Sequence, residues 1–255
     1  MNTLFIGQKI IELDAIDSTN SYAIDLLKTE SLSEGVVIWT KNQTKGRGQR
    51  GNKWDSEPFK NVTFSIILKP SFLSIKQQFY LNKAISLAIA DFVSDTLNKN
   101  DKNNRVTIKW PNDIYIDNKK ISGILIENSI RSNRIINSVV GVGVNINQTI
   151  FKSDVSNPTS LKTICENEFD LEKCLSDLCS YIEARYLQLK SNKLETLDEA
   201  YKKILYRYKE WMSFRIGEKN IKARIIDISS EGRLVIETPD EKKSDYGFKE
   251  IVFAA

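Results

Sequence analysis

Apolar positions recur at two different spacings along the chain. Short runs rich in β-branched residues predict strands at residues 10–13, 36–40 and 62–68. Between residues 84 and 97 the apolar positions instead return every three or four residues, which indicates the buried face of an amphipathic helix. A group of capping residues at 17–20 opens another helical pattern, and Ser18 or Thr19 is its predicted N-cap.

The remainder of the chain divides near residue 211. Strands are predicted at residues 106–110, 114–116, 121–127 and 135–146. Residues 171–211 carry helical stripes, and short strands with polar turns follow them. Because hairpins and helices do not alternate as βαβα, we predict an α+β fold with a mixed or antiparallel sheet over residues 1–210. The stretch 211–255 has the size of a small SH3-like β-barrel and is predicted to form a second domain.

The absence of histidine removes whole classes of enzyme. None of the 255 residues is histidine, which excludes Ser-His-Asp hydrolases, Cys-His proteases, HExxH zinc enzymes and the HRD loop of protein kinases. The net charge of +4 is too small to indicate a partner. The three cysteines match no zinc or redox spacing. With no signal peptide and no long apolar run, a cytoplasmic protein without membrane contact is expected.

A basic, glycine-rich loop at residues 43–54 is the most informative segment. Gly46, Gly48 and Gly51 fit a GxGxxG dinucleotide fingerprint, but that fingerprint opens a helix and no helical pattern follows. A Rossmann oxidoreductase is therefore only the third alternative among the functions considered. The four cations of the loop are Lys45, Arg47, Arg50 and Lys53. Glycines let backbone N–H groups approach an anion, and the cations add charge. Phosphate or nucleic acid is the expected ligand, and a solvated basic loop is the alternative.

Three later segments bring polar residues or glycines to strand ends. In residues 109–113 (KWPND), the proline stiffens a strand end that presents an amide and a carboxylate. Lys120 stands three residues before Gly123, so an ammonium could point into a cleft beside bare backbone. Gly141 and Gly143 clear one face of a further strand. Taken singly, each segment also fits an ordinary turn or bulge.

In this order, the segments resemble the biotin–protein ligases, also called biotin–[acetyl-CoA-carboxylase] ligases. The resemblance runs from about Ile10 to Phe253 and adds residues 17–20 (DSTN) to the segments above. It implies a class II synthetase-like catalytic domain followed by a small SH3-like domain. Some members begin with a winged helix-turn-helix. Here the ligase pattern starts almost at residue 1, so a short form without specific DNA binding is expected.

The family's reaction has two steps that need no histidine. The biotin carboxylate attacks the α-phosphate of ATP and gives biotinyl-5′-AMP and pyrophosphate, with Mg²⁺ shielding the polyphosphate. A lysine of a biotin carboxyl carrier domain then attacks the anhydride and releases AMP. Positioning and charge stabilisation carry both transfers. The resemblance therefore implies ATP, biotin and Mg²⁺ as ligands and a carrier domain as partner.

The resemblance also implies a role for each site residue. The expected catalytic residues are Lys120, between the biotin carboxylate and the α-phosphate, Arg47, and Asp113, which accepts or orients the carrier amine. The expected biotin-binding residues are Ser18, Thr19, Asn20, Gln43, Gly46, Arg47, Gly48, Lys120, Gly123, Leu125, Gly141 and Gly143. The expected ATP-binding residues are Gln49, Arg50, Trp54, Lys109, Asn112 and Asn145. Trp54 should stack on adenine, and no residue is expected to ligate a metal.

The loop departs from the family pattern at one position. Many members carry a second arginine on the phosphate where this chain has Gln49, and Arg50 is the expected substitute. Because its like charges repel, the loop is predicted to be mobile without ligand and to close over biotinyl-AMP.

Two other functions stay open from the residues alone. One is lipoate or octanoyl transfer on a related fold. The other is a nucleic-acid-binding module that uses the basic loop, Trp54 and the small barrel. The sequence leaves the oligomeric state open, since an exposed sheet edge could pair two copies in a homodimer or dock the carrier.

Overall fold

The computed structural model describes residues 2–152 and 157–254, and of Arg50 the backbone only. Its larger sheet has seven strands in the spatial order β1-β2-β3-β7-β6-β5-β4. They are β1 (Ile10–Leu13), β2 (Val37–Thr40), β3 (Val62–Leu68), β4 (Val106–Lys109), β5 (Asp113–Ile116), β6 (Lys119–Arg131) and β7 (Arg134–Val144). β1 and β2 run parallel and the other neighbouring pairs antiparallel, so the predicted α+β class with a mixed sheet is confirmed.

Helices cover both faces of this sheet. The helices are α1 (Thr19–Thr29), α2 (Phe79–Lys99), α3 (Leu161–Cys165), α4 (Leu171–Lys190) and α5 (Leu194–Lys203). α1 packs through Ala23 on the face that carries Ile67, whereas α2 and α4 share a core with Phe64 on the other face. Successive strand side chains point to opposite faces, so Ser65 lies on the α1 side with Ile67. None of the helices described is long and apolar enough to cross a membrane.

The start of α1 follows the predicted capping pattern. Ser18 is the N-cap, with extended backbone and a side chain that accepts a hydrogen bond from the Ser21 N–H at 3.4 Å. A polar N-cap satisfies one of the backbone donors that the first helical turn leaves without a partner. As a result, Thr19 and Asn20 enter the helix where it meets the sheet, and both are buried.

A second, antiparallel sheet follows the last helix. Its strands are β8 (Trp211–Ile216), β9 (Lys219–Ile228), β10 (Leu234–Glu237), β11 (Lys243–Tyr246) and β12 (Val252–Phe253). Their spatial order is β11-β10-β9-β8-β12. Within the described part of the chain, the edge strands β11 and β12 do not pair with each other. The sheet is therefore open where a closed SH3-like barrel was predicted.

The helical pattern predicted over residues 171–211 extends too far. α5 ends at Lys203, and strand β8, which periodicity did not predict, begins at Trp211. Leu205 and Tyr208 continue the helical spacing, yet Leu205 forms a parallel bridge to β4 and Tyr208 forms one to β9. Both side chains pack at the junction of the two sheets. Periodicity alone cannot distinguish residues buried in this way from residues on the buried face of a helix.

Candidate active site

A cavity of about 290 Å³ opens where the larger sheet, the basic loop and the end of the second sheet meet. Sixteen of the residues predicted for the site line it: Ser18, Thr19, Asn20, Gln43, Arg47, Gly48, Gln49, Trp54, Lys109, Asn112, Asp113, Lys120, Gly123, Leu125, Gly141 and Gly143. They are up to 125 positions apart in sequence, from Ser18 to Gly143. The fold therefore brings most of the sequence-predicted residues to one place.

Two predicted residues, Gly46 and Asn145, are not among the described lining residues, and for a third the side chain is not described. Gly46 is buried beside the cavity, and a Cβ there would lie 2.2 Å from the Trp54 carbonyl oxygen, so this glycine allows the loop to fold back on itself. Asn145 is buried next to the cavity, where its Nδ2 donates to the Thr159 carbonyl at 2.9 Å. The Asn145 Oδ1 has no hydrogen-bond partner among the described residues. The side chain of Arg50, the expected substitute at the phosphate, lies outside the described residues.

Bare glycine backbone forms one wall of the cavity. Gly123 of β6 pairs in register with Gly143 of β7, and Leu125 pairs with Gly141. A Cβ at Gly143 would lie 2.4 Å from the Trp54 indole, and one at Gly123 would lie 3.3 Å from it. The Trp54 ring thus lies on the two glycines that were predicted to line the biotin pocket. Its Nε1 is buried with no hydrogen-bond partner in the described part of the chain.

A hydrogen-bonded polar network closes the end of the cavity near α1. The Thr19 N–H and hydroxyl lie 2.9 and 3.2 Å from Gln43 Oε1. Ser65 Oγ, fully buried in β3, lies 2.8 Å from Thr19 Oγ1 and 2.6 Å from Asn20 Oδ1. Sequence reasoning missed Ser65, and the available signal was a hydroxyl in the middle of a strand that is otherwise mostly apolar. The network fixes four polar side chains at one edge of the glycine wall.

Two cations of the basic loop are paired with acids. Arg47 makes a fork of hydrogen bonds to Glu127, at 2.8 and 3.2 Å, and Lys45 lies 2.9 Å from Asp17. Glu127 also accepts from Asn20 Nδ2 at 2.9 Å, so it links the loop to α1. Two of the four like charges that were expected to repel one another are therefore compensated, because Glu127 of β6 and Asp17, just before α1, supply carboxylates far away in sequence. Glu127, quoted within a motif but given no role, is the second residue that the sequence analysis missed.

Lys120 and Asp113 form an ion pair at the strand ends. Lys120 Nζ lies 2.7 Å from Asp113 Oδ1, and the two side chains are 27% and 23% exposed. Asp113 pairs in register with Gly123, so the ion pair lies beside the glycine wall. The Lys120 ammonium is 5.9 Å from the Trp54 ring centroid, which brings charge, carboxylate and aromatic ring into one small volume.

Lys109 lies on the side of the cavity next to the second sheet. Its Nζ is 5.0 Å from the ring centroid of Tyr115, 5.1 Å from that of Phe253 and 5.8 Å from that of Tyr206. Burial lowers the pKa of this ammonium, and Asp113 partly opposes the shift. The aromatic rings stabilise the cation that burial disfavours. Because Phe253 belongs to β12, the second sheet forms part of the cavity wall.

The charge of the lining residues suits an anionic ligand. The lining cations are Arg47, Lys53, Lys109, Lys120 and Lys249, and Asp113 is the one carboxylate among the described lining residues. No cluster of three or more His, Cys, Asp or Glu that could hold a metal occurs in the part of the chain that the structure describes. Cations grouped in a partly enclosed cavity attract phosphate or carboxylate groups.

Fold and cavity together define an α+β protein with a cation-rich pocket against bare strand backbone. Residues 12–145, more than half of the chain, match the Biotin/lipoate A/B protein ligase family. The chain belongs to that family.

Three similar proteins cover between 69% and 97% of this chain. The bifunctional ligase/repressor BirA of Bacillus subtilis is 27% identical over 96% of this chain and 74% of its own length. The biotin–[acetyl-CoA-carboxylase] ligase of Mycobacterium tuberculosis is 28% identical over 69% of this chain and 65% of its own. The biotin protein ligase from Aquifex aeolicus in complex with biotin and ATP superposes with a TM-score of 0.78 at 24% identity, covering 97% of this chain and 99% of that one. The structural likeness establishes the fold.

Proposed function

We propose that this chain is an ATP-dependent biotin–protein ligase. It activates biotin with ATP to biotinyl-5′-AMP and transfers the biotin to a lysine of a biotin carboxyl carrier domain. One observation carries the proposal: in a member of the ligase family, Lys120, the basic loop and a glycine-cleared strand face line the same cavity. The name of the Mycobacterium tuberculosis relative and the biotin and ATP bound in the Aquifex aeolicus neighbour support the same ligands.

The biotin end of the cavity is assigned to the network near α1. Thr19 and Gln43 offer a hydroxyl and an amide to the ureido group, in the position that the resemblance implies for them. The glycine wall takes the flat bicyclic part of biotin. Because Trp54 lies on Gly123 and Gly143, its ring moves off this wall when biotin enters. A shift in tryptophan fluorescence on addition of biotin would report that movement.

Adenylate formation is assigned to the cations between the two sheets. Lys120 balances the biotin carboxylate and the α-phosphate as they approach, which is the point where negative charge is most concentrated. Lys109 and Asn112 contact the nucleotide, and Trp54 stacks on the adenine once displaced. Mg²⁺ enters as part of the Mg–ATP substrate, since a cavity with one lining carboxylate suits an ion held mainly by phosphates and water.

Transfer to the carrier lysine is assigned to Asp113. When the two anions take up the charge of Lys120, the Asp113 carboxylate is released to accept the proton of the incoming amine or to orient it. The partner is a biotin carboxyl carrier domain, and the three free cysteines of the chain suit the reducing cytoplasm. A homodimer would use the exposed edge of β1.

Mass spectrometry of a carrier domain tests the function directly. The domain is incubated with biotin, Mg–ATP and this protein, and a single biotinamide on one lysine is expected. Lipoate replaces biotin in a parallel reaction, because lipoate transfer is the alternative within the family. An adduct with lipoate alone, or none with either acid, would overturn the proposal. An RNA filter-binding assay beside it separates an enzyme from a nucleic-acid-binding module.

A further inference from the structure

Trp110 of the cavity wall is held from the second sheet. Its indole Nε1 donates a hydrogen bond of 2.9 Å to the carbonyl oxygen of Gly232, which lies in the turn between β9 and β10. Trp110 is 5% exposed and lines the cavity between Lys109 and Asn112. Its ring also meets Phe248, between β11 and β12, edge-on with centroids 6.2 Å apart. One wall of the cavity therefore depends on a sheet that begins a hundred residues later in the chain.

The turn that carries this carbonyl also packs against the start of α2. Gly232 has φ of +85°, and a Cβ there would lie 2.3 Å from the Phe79 ring. Phe79 is itself fixed at the start of α2, edge-on to the buried ring of Tyr201. The turn is thus confined between Phe79 on one side and Trp110 on the other. Neighbours that pack on both sides of a contact hold a binding group to within about 0.5 Å of its working position.

We infer that Gly232 is a positioning residue for the nucleotide half of the cavity, acting through Trp110. The inference rests on the proposed function, since it assigns Lys109 and Asn112, the neighbours of Trp110, to ATP. It also explains how the second sheet takes part in catalysis without contributing a reacting group: its turn fixes the wall against which the nucleotide lies.

Two substitutions break the same contact from opposite sides. Trp110→Phe keeps an aromatic ring but removes the N–H donor, and Gly232→Ala drives a methyl group into Phe79 and displaces the carbonyl. Gly217→Ala is the matched control, because Gly217 is also a positive-φ turn glycine of the second sheet but an added Cβ would meet nothing within 4 Å. Biotin-dependent exchange of pyrophosphate into ATP gives the KM for ATP, and calorimetry gives the Kd for biotin alone.

The expected result is a rise in the KM for ATP of about five- to tenfold in each variant, the size of one lost hydrogen bond. The Kd for biotin and the values for Gly217→Ala should stay as in the wild type. The double variant should be no worse than the single ones, because both remove one shared contact. A purely structural role would lower the melting temperature and leave the KM unchanged.

Each contrary outcome has its own meaning. If Trp110→Phe folds and keeps the wild-type KM for ATP, the inference is overturned even if Gly232→Ala does not fold. If the double variant is additive, the two residues act separately and the inference is also overturned. If the wild-type chain shows no biotin-dependent exchange, the proposed function fails, and this inference fails with it.

Discussion

Replacing Lys120 by alanine should change both the rate of adenylate formation and the KM for ATP. The substitution removes the ammonium that lies 2.7 Å from the Asp113 carboxylate, so this carboxylate loses its ion-pair partner. Two effects follow from this geometry. The transition state loses its bridging cation, and the incoming phosphates meet a carboxylate that Lys120 no longer neutralises.

The first effect should appear in the rate. Removing one preorganised group that stabilises developing charge costs about 3 to 4 kcal/mol, on the order of 10² to 10³ in kcat. The second should appear in binding. At an effective dielectric constant of about 20, two unit charges about 5 Å apart repel by about 3 kcal/mol. Because both side chains are about a quarter exposed, about 1 to 2 kcal/mol is the better figure, or about five- to thirtyfold in the KM for ATP.

Biotin-dependent exchange of pyrophosphate into ATP measures both effects. A single-turnover measurement of biotinyl-AMP isolates the chemical step. The double variant Lys120→Ala/Asp113→Asn should recover the KM for ATP but not kcat, since it removes the repulsion without restoring the cation. Exchange stops before the carrier reacts, so the role proposed for Asp113 in transfer does not interfere. Lys119→Ala, an exposed neighbour on the same strand, is the matched control.

A near-normal single-turnover rate in Lys120→Ala would refute the assignment of this lysine. If instead the rate falls but the KM for ATP does not rise, the ion pair is not what keeps Asp113 from repelling ATP. If the double variant recovers kcat as well, the lysine acts by neutralising Asp113 and not by bridging the two substrates.

Three further outcomes are expected. Gly141→Ala should lower the free energy of unfolding by about 2 to 3 kcal/mol in urea titrations. The added Cβ would lie 2.2 Å from Asn20 Oδ1, so Asn20 would give up two or three hydrogen bonds. A loss below about 1 kcal/mol would contradict this. Trypsin should cut first within residues 44–53, and biotin with ATP should slow those cuts; equal cleavage with and without ligand would reject a closing loop. Burial raises the pKa of Cys174 and Cys179 to about 12. Both thiols should therefore resist a disulfide reagent at pH 8 until the chain unfolds. Rapid labelling of the native protein would count against their burial.

Local patterns were enough for most of the elements and for the positions of the candidate site. The strand Val62–Leu68 begins and ends where its β-branched run predicted, and Ser18 caps α1 because its side chain bonds within its own turn. The glycine spacing at 141 and 143 predicted a cleared strand face, since alternate residues of a strand share one face. These features depend on residues a few positions apart, and such neighbours are visible in the sequence.

Long-range contacts determined the features of the site that the sequence did not predict. The pairing of Arg47 with Glu127 joins residues 80 positions apart, and the bond from Trp110 to Gly232 joins residues 122 apart. The Trp54 ring covers the glycine wall because the loop folds back over the sheet, which its charges and glycines do not specify. The same limit explains why the sequence predicted too long a helical stretch over 171–211 and a closed barrel in place of the open second sheet. Periodicity records that a side chain is buried, but only the tertiary structure determines which partner buries it.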